Sequence, residues 1–486
     1  MEEKYIASID LGSSKFGLCV ARVNGDDVQI VYYKETPSEG IRASLITNPM
    51  KASQRLQEAI REAEKELMIH ILQVVVGMPR SEVAQVTASA RIERSNPDEY
   101  ISAEEVQSLK SIALETYPLP DPERQIMYGA VAQSFSVDDE IQLVENEVVG
   151  TLSNSLEGNF KVFIGSRRAT TALDKIFNSL EIAVAKKYFL PDVVARTVLG
   201  DEEMAAGVAL VDVGAGVSSV TIYHGGIMRY YAAVPFGGKA ITNDIRTECS
   251  ISEDLAENIK KRFGACMPGK LANLSEKVLQ IRLTEPFKEV PVRYISEIID
   301  CRSREIVEAL LYYIQESGLQ NSLRSGIVVT GGGSELANFI PLMKEMSGYD
   351  VRQGNPRFIY SATVGSRAYS SAATAAIGMV LAAKEDNLPD CVSVPEKPAV
   401  EEEEMVEVEV QVTNETPAAT EETLFAPDSF PEEAPKPQEE PKHEMKQTKK
   451  IKVPKTKNSE RTGILSIFWN TFENTALKIY DKANQE

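Results

Sequence analysis

The chain has 486 residues, 43% of them hydrophobic, and a formal net charge of −20. The hydrophobic content is enough for buried cores, and the length predicts two to four domains of roughly 100 to 200 residues each. The acidic balance argues against a nucleic-acid-binding protein, because phosphate contact needs clustered Lys and Arg. No uninterrupted apolar run reaches about 18 residues, so the sequence predicts no membrane-spanning helix.

The first 390 or so residues alternate β-branched runs with helical periodicity, which predicts an α/β architecture. The five cysteines are scattered without a CxxC pair, and this favours reduced thiols in a cytosolic protein. The opening residues MEEKYIASID have neither a basic region nor a long apolar run, so we expect no secretory signal.

Two segments about 200 residues apart share one layout, YIASIDLGSSK from Tyr5 and GVALVDVGAGVSS from Gly207. Each predicts a strand that ends in Asp, followed by a turn of Gly and small residues. Glycine lets a backbone approach an anion, and successive N–H groups can bind phosphate. Asp10 and Asp212 could hold the waters of a Mg²⁺ ion there. Two such hairpins would clamp a nucleoside triphosphate, although a single Asp-x-Gly is also common in ordinary tight hairpins.

A third glycine-rich turn follows in SGIVVTGGGSELANF, with three glycines after a predicted strand. We expect Ser334 to cap the next helix, whose N-terminus would favour a nearby anion. The segment GACMPGKL, residues 264–271, comes close to a P-loop. It is rejected because Leu271 replaces the Mg²⁺-binding hydroxyl residue and a helix, not a strand, is predicted before it.

These three motifs resemble the phosphate-1, phosphate-2 and adenosine motifs of the actin, Hsp70 and sugar-kinase superfamily. They are DLGSSK (10–15), DVGAGVSS (212–219) and VVTGGGS (328–334). Within that superfamily the chain resembles the FtsA family of bacterial cell-division proteins, from about Tyr5 to Ala383. The closer resemblance lies in VPFGGKAITNDIRTECSISEDLAENIKKRFGAC and ERQIMYGAVAQSFSVDDEIQLVENEVVGTLSNSLEGNFKVFIGS.

The resemblance implies an α/β, actin-like bilobed ATPase fold with a duplicated ribonuclease H-like core and an FtsA-type 1C subdomain. The implied subdomains are 1A (1–84 and 166–200, with 366–386), 1C (85–165), 2A (201–235 and 324–365) and 2B (236–323).

The resemblance also implies ATP and Mg²⁺ as cofactors. The implied nucleotide-binding residues are Asp10, Gly12, Ser13, Ser14, Lys15, Asp212, Gly214, Gly216, Ser218, Gly238, Glu257, Lys260, Lys261, Gly331, Gly332 and Gly333, with Asp10 and Asp212 reaching Mg²⁺ through water. Glu257, Lys260 and Lys261 match an E-x-x-K-[KR] pattern that packs on adenosine in related folds. A solvated helix face is the alternative for these three residues.

Two departures from the family pattern bear on catalysis. Ser219 and approximately Arg196 stand where actin has the His and Gln that arrange the attacking water. Val217 and Ser219 stand where many FtsA sequences have Thr and Asp. None of the three histidines falls in these motifs. We therefore predict no catalytic residue, and tight ATP binding with at most weak ATPase activity.

The last 95 residues differ in composition from the rest. Residues 392–462 predict a disordered linker, acidic and Pro-rich over 395–441 and then basic over 446–461, although MVEVEVQV could form a short strand. Residues 463–483 predict an amphipathic helix with an aromatic-rich face. We expect this face to bind the membrane beside the basic segment, or alternatively a protein groove. Its predicted membrane-binding residues are Ile464, Leu465, Phe468, Trp469, Phe472, Ile479 and Tyr480.

The function implied by the resemblance is that of a cell-division protein that polymerises and tethers the FtsZ ring to the cytoplasmic face of the inner membrane at midcell, where it helps recruit later division proteins. The FtsZ C-terminal peptide is expected at subdomain 2B, on exposed Arg302, Arg304 and Glu305 of IDCRSREIVEALL. An ordinary salt-bridged helix face is the alternative there. The alternative functions are a PilM-like membrane-associated assembly protein and, less favoured, an actin-fold small-molecule kinase. An Hsp70-type chaperone is disfavoured because residues from 392 onward cannot form its substrate domain.

Overall fold

The computed structural model describes residues 3–139, 141–271, 277–281, 288–357, 359–363 and 365–393. The strands are β1 (Lys4–Leu11), β2 (Lys15–Asn24), β3 (Asp27–Pro37), β4 (Ile41–Arg42), β5 (Leu45–Ile46), β6 (His70–Ile71), β7 (Gln73–Gly77), β8 (Ala84–Glu93), β9 (Gln125–Val137), β10 (Ile141–Leu143), β11 (Ser155–Ser166), β12 (Ala183–Tyr188), β13 (Val208–Val213), β14 (Ser218–His224), β15 (Ile227–Val234), β16 (Val278–Ile281), β17 (Lys288–Pro291), β18 (Ile327–Thr330), β19 (Val351–Gln353), β20 (Ser361–Ala362) and β21 (Val392–Ser393).

The helices are α1 (Pro49–Leu67), α2 (Ala103–Thr116), α3 (Glu145–Val148), α4 (Arg167–Ser179), α5 (Leu190–Val198), α6 (Asp201–Ala206), α7 (Gly238–Cys249), α8 (Glu253–Phe263), α9 (Val292–Glu316), α10 (Phe339–Ser347) and α11 (Thr374–Glu385). Among the residues that the structure describes, no helix has the length and hydrophobicity needed to cross a membrane.

Two sheets repeat one topology. The first runs in the order β12-β7-β1-β2-β3-β20, and the second in the order β15-β14-β13-β18-β19. In each, three consecutive strands form an antiparallel meander, a later strand pairs in parallel with the first of them, and one further strand pairs in parallel with that later strand. Apart from the edge strand β20, the strand orders correspond one to one. The duplicated α/β, actin-like core predicted from the sequence is confirmed.

The central strands of these sheets are buried on both faces. All six residues of β13 are buried, including Asp212. Helices cover both faces of such a sheet, so its central strands consist of nearly continuous apolar residues, as in VALVDV. Helix α11 is apolar around its whole circumference and packs against α5 and β1 in the core of the first sheet.

A third sheet lies within residues 84–166 and has its own core. Its order is β10-β9-β11-β8, and all of its pairings are antiparallel. Helix α2 covers one face, and Phe135 and Phe160 meet edge to face in the core beneath it. The side of this sheet at β9 contacts β15 of the second sheet.

The folded body continues two residues into the segment predicted as linker. Strand β21 pairs with β6, and the N–H of Cys391 donates to the Tyr5 carbonyl. Cys391 and Val392 are both buried. The predicted linker beyond Ser393 and the predicted membrane-binding residues lie outside the described residues.

Candidate functional site

A cleft with a cavity of about 530 Å³ lies where the β1–β2 and β13–β14 hairpins face each other. Fifteen of the sixteen predicted nucleotide-binding residues line it. The exception is Ser218, which is fully buried and donates to the Phe236 carbonyl, so it braces the second hairpin without reaching the cleft. Concave sites lined by a few convergent polar groups are the usual places for small-molecule binding.

The two hairpin turns close in the same way. The N–H of Gly12 donates to the Lys15 carbonyl at 3.1 Å, and the N–H of Gly214 donates to the Val217 carbonyl at 2.9 Å. The turns also approach each other closely, because a Cβ added at Gly216 would lie 2.6 Å from Ser13 Oγ. Two equivalent glycine turns therefore present backbone to one cavity, as the repeat predicted.

The triple glycine forms part of the cleft wall, but its local structure differs from the prediction. Gly331 has φ +83°, and a Cβ there would lie 2.3 Å from Asp212 Oδ1. Glycines 332 and 333 begin a 3-10 helix, and α10 starts only at Phe339, after Asn338. The expectation that Ser334 caps this helix is wrong: its hydroxyl donates to the Gly331 carbonyl and stabilises the glycine turn.

The predicted magnesium-binding carboxylates face an arginine that the sequence analysis did not single out. Arg80 contacts Asp212 through Nη1, and its Nη2 lies 3.4 Å from Asp10 Oδ1. Burial alone would lower the pKa of Arg80, but the two carboxylates raise it above its usual range. For Asp212, burial raises the pKa more than Arg80 lowers it. A guanidinium that is only 16% exposed thus lies between the two hairpin aspartates.

Lys15, predicted to meet phosphates, lies beside a carboxylate that the sequence analysis also missed. Its ammonium pairs with Glu35, which also accepts from Tyr33 Oη at 2.9 Å and from Arg367 Nη2 at 2.9 Å. Burial would raise the pKa of Glu35, but the neighbouring cations and hydrogen bonds lower it overall. A bound phosphate would therefore compete with Glu35 for Lys15.

Glu257, Lys260 and Lys261 lie on α8 at one wall of the cleft. Lys260 Nζ lies 2.7 Å from Glu257 Oε2 and donates to the Gly238 carbonyl at 2.9 Å and to Thr242 Oγ1 at 2.8 Å. Burial lowers the pKa of Lys260, and Glu257 offsets only part of that change. This network fixes α8 against α7, so Glu257 and Lys260 form more than a solvated helix face, whereas Lys261 is exposed.

The charge of the cleft differs from that of the chain. Six basic and five acidic side chains line it, in a protein with net charge −20: Lys15, Arg80, Lys260, Lys261, Arg262 and Arg367 against Asp10, Glu35, Asp212, Glu257 and Glu335. A concave, slightly positive site on an acidic protein favours an anionic ligand.

Of the three residues named as departures from the family pattern, Val217 lines the cavity, whereas Ser219 and Arg196 lie away from it. Ser219 is buried, and Arg196 pairs with Asp192 at 3.0 Å on α5. Neither lines the cleft, and no histidine is among the described lining residues. The lining thus offers no imidazole as a general base.

The predicted peptide contact on α9 is less exposed than expected. Arg302 makes a two-pronged pair with Asp244, at 2.6 and 3.1 Å, and also contacts Glu305. Arg304 lies 2.8 Å from Asp300. All three predicted residues are half-buried, so the expectation that they are exposed is wrong. Internal salt bridges thus occupy this helix face, and the peptide contact stays a prediction.

Comparison with known proteins identifies the relatives of this chain. The family model described as "Cell division protein FtsA" matches residues 209–374. The FtsA of Borreliella burgdorferi is 29% identical over 78% of this chain and 91% of its own length. The FtsA of Neisseria meningitidis serogroup B is 26% identical over 82% of this chain and 94% of its own length. The resemblance to FtsA seen in the motifs is confirmed.

A solved structure described as the PilM-PilN type IV pilus biogenesis complex has a similar fold. The match has a TM-score of 0.52 at 13% identity and covers 78% of this chain and 98% of that one. At this identity the likeness shows the fold alone. The relatives similar in sequence are cell-division proteins, which disfavours the PilM-like alternative.

Proposed function

We propose that this chain, similar to FtsA over most of its described length, is an actin-like, ATP-binding cell-division adaptor. It binds ATP between the two hairpins, polymerises, and tethers the FtsZ ring to the cytoplasmic face of the inner membrane, where later division proteins join it. The observation that carries the proposal is the convergence of three glycine turns, far apart in sequence, on one cleft. The FtsA name of its relatives supports the cellular role.

ATP binding is tested by calorimetric titration of the full chain. We expect Lys15→Met to weaken ATP binding at least tenfold, because it removes a cation beside the phosphate-side turn. Lys51→Met on the exposed start of α1 is the matched control and should bind as the wild type does. Equal binding by the two variants would count against this placement of the phosphates.

The kinase alternative is separated by ATP turnover. With no imidazole in the described lining, we expect turnover well below about 1 per second, with or without added sugars or acetate. ATP turnover that is stimulated by a small-molecule acceptor would favour the kinase and contradict the adaptor proposal.

Membrane tethering is proposed for the helix predicted over residues 463–483. Trp469→Glu with Phe472→Glu should abolish flotation with anionic liposomes, because each buried large side chain contributes roughly 1.5–3 kcal/mol. Ser466→Glu with Asn474→Glu adds the same charge to the polar face and should reduce flotation far less. A loss of the same size in both variants would indicate a general charge effect.

We place the FtsZ contact on α9. There the FtsZ peptide would compete with the internal ion pairs of Arg302 and Arg304. An acidic peptide must displace Asp244 from Arg302 or Asp300 from Arg304. Asp244→Asn should therefore tighten binding of the FtsZ C-terminal peptide, whereas Arg302→Ala should weaken it, both measured by fluorescence anisotropy. Unchanged binding in both variants would move the peptide site elsewhere.

The cellular role is tested by localisation of a tagged chain. Midcell bands that require residues 463–486 would support the adaptor, whereas diffuse protein with and without them would contradict it.

A further inference from the structure

The carboxylates predicted to hold magnesium lie on opposite sheets, with a guanidinium between them. Asp10 belongs to β1 of the first sheet, and Asp212 belongs to β13 of the second. Arg80 follows β7 and reaches both, and all three side chains are at most 20% exposed. The Arg80–Asp212 ion pair therefore bridges the two halves of the cleft.

The backbone of Arg80 is held in place from both halves. Its N–H donates to Ser44 Oγ at 3.0 Å, and its carbonyl accepts from Tyr231 Oη at 2.6 Å. Tyr231 is fully buried on β15 of the second sheet. The backbone that carries the guanidinium is therefore fixed, and the side chain itself is only 16% exposed and paired with both aspartates.

This arrangement does not fit a magnesium ion held through water by the two aspartates. Mg²⁺ needs six ligands in octahedral geometry and keeps several waters, which must occupy the space between the carboxylates. Here the Arg80 fork occupies that space and engages one oxygen of each carboxylate. Among the described residues, no group of three His, Cys, Asp or Glu side chains could hold a metal ion.

We propose that Arg80 takes the place of the divalent cation and contacts the phosphates of the bound nucleotide directly. The inference rests on the proposed ATP binding in this cleft. A guanidinium fork has five N–H donors, and the two aspartates engage two of its nitrogens. Arginine suits such a site because it pairs with phosphate in a planar, two-pronged geometry. Arg80 also lines the cavity beside the glycine turns.

The consequence is that nucleotide affinity depends little on divalent cations. In the wild-type chain the Kd for ATP should change less than threefold between excess Mg²⁺ and excess chelator. In Arg80→Ala the aspartates lose their cation, so ATP binding in chelator should weaken at least tenfold and Mg²⁺ should restore most of it. Mg²⁺ alone should raise the melting temperature of Arg80→Ala and leave that of the wild type unchanged.

The experiment is calorimetric titration of ATP into full-length wild type, Arg80→Ala and the control Arg55→Ala, whose arginine is exposed on α1. If the wild type binds ATP only with Mg²⁺, the proposed function stands and the role of Arg80 is overturned. If Arg80→Ala is as insensitive to Mg²⁺ as the wild type, the role of Arg80 is likewise overturned. If the wild type binds ATP under neither condition, both proposals fall.

Should Arg80→Ala not fold, Arg80→Lys keeps the charge without the fork. It should bind ATP more weakly than the wild type in chelator, and unchanged affinity would count against a two-pronged contact. The comparison of wild-type ATP affinity with and without chelator needs no variant, and it tests directly whether that affinity depends on divalent cations.

Discussion

Gly216 in the second hairpin turn lies close to Ser13 in the first. An added Cβ would lie 2.6 Å from Ser13 Oγ, 2.8 Å from Ser13 Cβ and 3.1 Å from the Ala43 nitrogen. Ser13 cannot turn away freely, because its hydroxyl accepts from the Ser44 N–H at 3.0 Å. We expect Gly216→Ala to push the hairpins apart, cost about 1–3 kcal/mol of stability and weaken ATP binding about tenfold.

Gly129→Ala is the control for this prediction. Gly129 lies on β9, and no heavy atom stands within 4 Å of its added Cβ. Thermal unfolding and ATP titration should therefore match the wild type. If Gly216→Ala also binds ATP with unchanged affinity, the spacing of the hairpins does not set the phosphate site.

The Glu257–Lys260 ion pair should make a pH-dependent contribution to the free energy of unfolding. Burial would raise the pKa of Glu257, but Lys260, with help from Thr242 and Lys261, lowers it overall. A carboxylate with a lowered pKa stabilises the fold fully above its unfolded pKa of about 4.3, and this contribution is lost as pH falls through the folded pKa. Glu257→Gln should therefore cost about 1–2 kcal/mol near neutral pH.

Urea unfolding of wild type and Glu257→Gln at a series of pH values checks this sign. The difference in unfolding free energy should be constant from pH 6 to 8 and shrink below about pH 4, where wild-type Glu257 also becomes neutral. A difference that grows on acidification would contradict the ion pair.

The two hairpins could be predicted because each is encoded within one short stretch of sequence. Each hairpin is a contiguous strand, turn and strand, so the turn glycines and Asp10 or Asp212 could be placed within one short segment. The predicted N-cap at Ser334 was wrong because the glycines begin a 3-10 turn, and the helix starts only after Asn338.

The charged partners inside the cleft were not predictable in this way. Arg80 is 132 residues from Asp212, and Arg367 is 332 residues from Glu35. Neither belongs to a glycine motif, and each resembles an ordinary surface charge in sequence. Only the folded topology shows that Arg80 pairs with the predicted Asp10 and Asp212, and that Arg367 pairs with Glu35 beside the predicted Lys15.

Arg94 holds the separate sheet of residues 84–166 to its helix. Its side chain is 2% exposed and pairs with Glu105 on α2 through two nitrogens, at 3.0 and 3.1 Å. It also donates to the carbonyls of Glu99 and Ser153. We expect Arg94→Met to cost about 2–4 kcal/mol, because these acceptors lose a buried donor.

Arg91→Met is the matched control, on β8 three residues before Arg94. Arg91 pairs with Glu93 and Asp139, but its side chain is 43% exposed, so the expected cost is below about 1 kcal/mol. Urea unfolding followed by circular dichroism distinguishes the two variants. Losses of similar size would show that Arg94 is not a special contact.

The duplication of the whole molecule could be predicted from its sequence, but the folded body extends two residues beyond the predicted boundary. The composition changes at Val392, yet Val392 and Ser393 still pair with β6. Two residues in a short edge pairing carry no periodicity that could mark them as folded. The pairing depends on β6, more than 300 residues earlier, so only the fold reveals it.

Residues 387–393, at the end of the folded body, should contribute to its stability. The apolar core clusters of the described residues lie before residue 394, with Cys391 and Val392 among their members. A chain ending after Ser393 should therefore unfold at the same temperature as the full protein and bind ATP equally, while losing liposome flotation.

A chain ending after Asp386 also loses the Lys4 contacts to Asn387 and Leu388 and the backbone bond from Cys391 to Tyr5. With two buried side chains removed as well, its unfolding free energy should fall by about 2–4 kcal/mol. Equal stability of the two truncated chains would show that β21 contributes nothing to the body, whereas a loss already present after Ser393 would mean that part of the remaining chain packs on it.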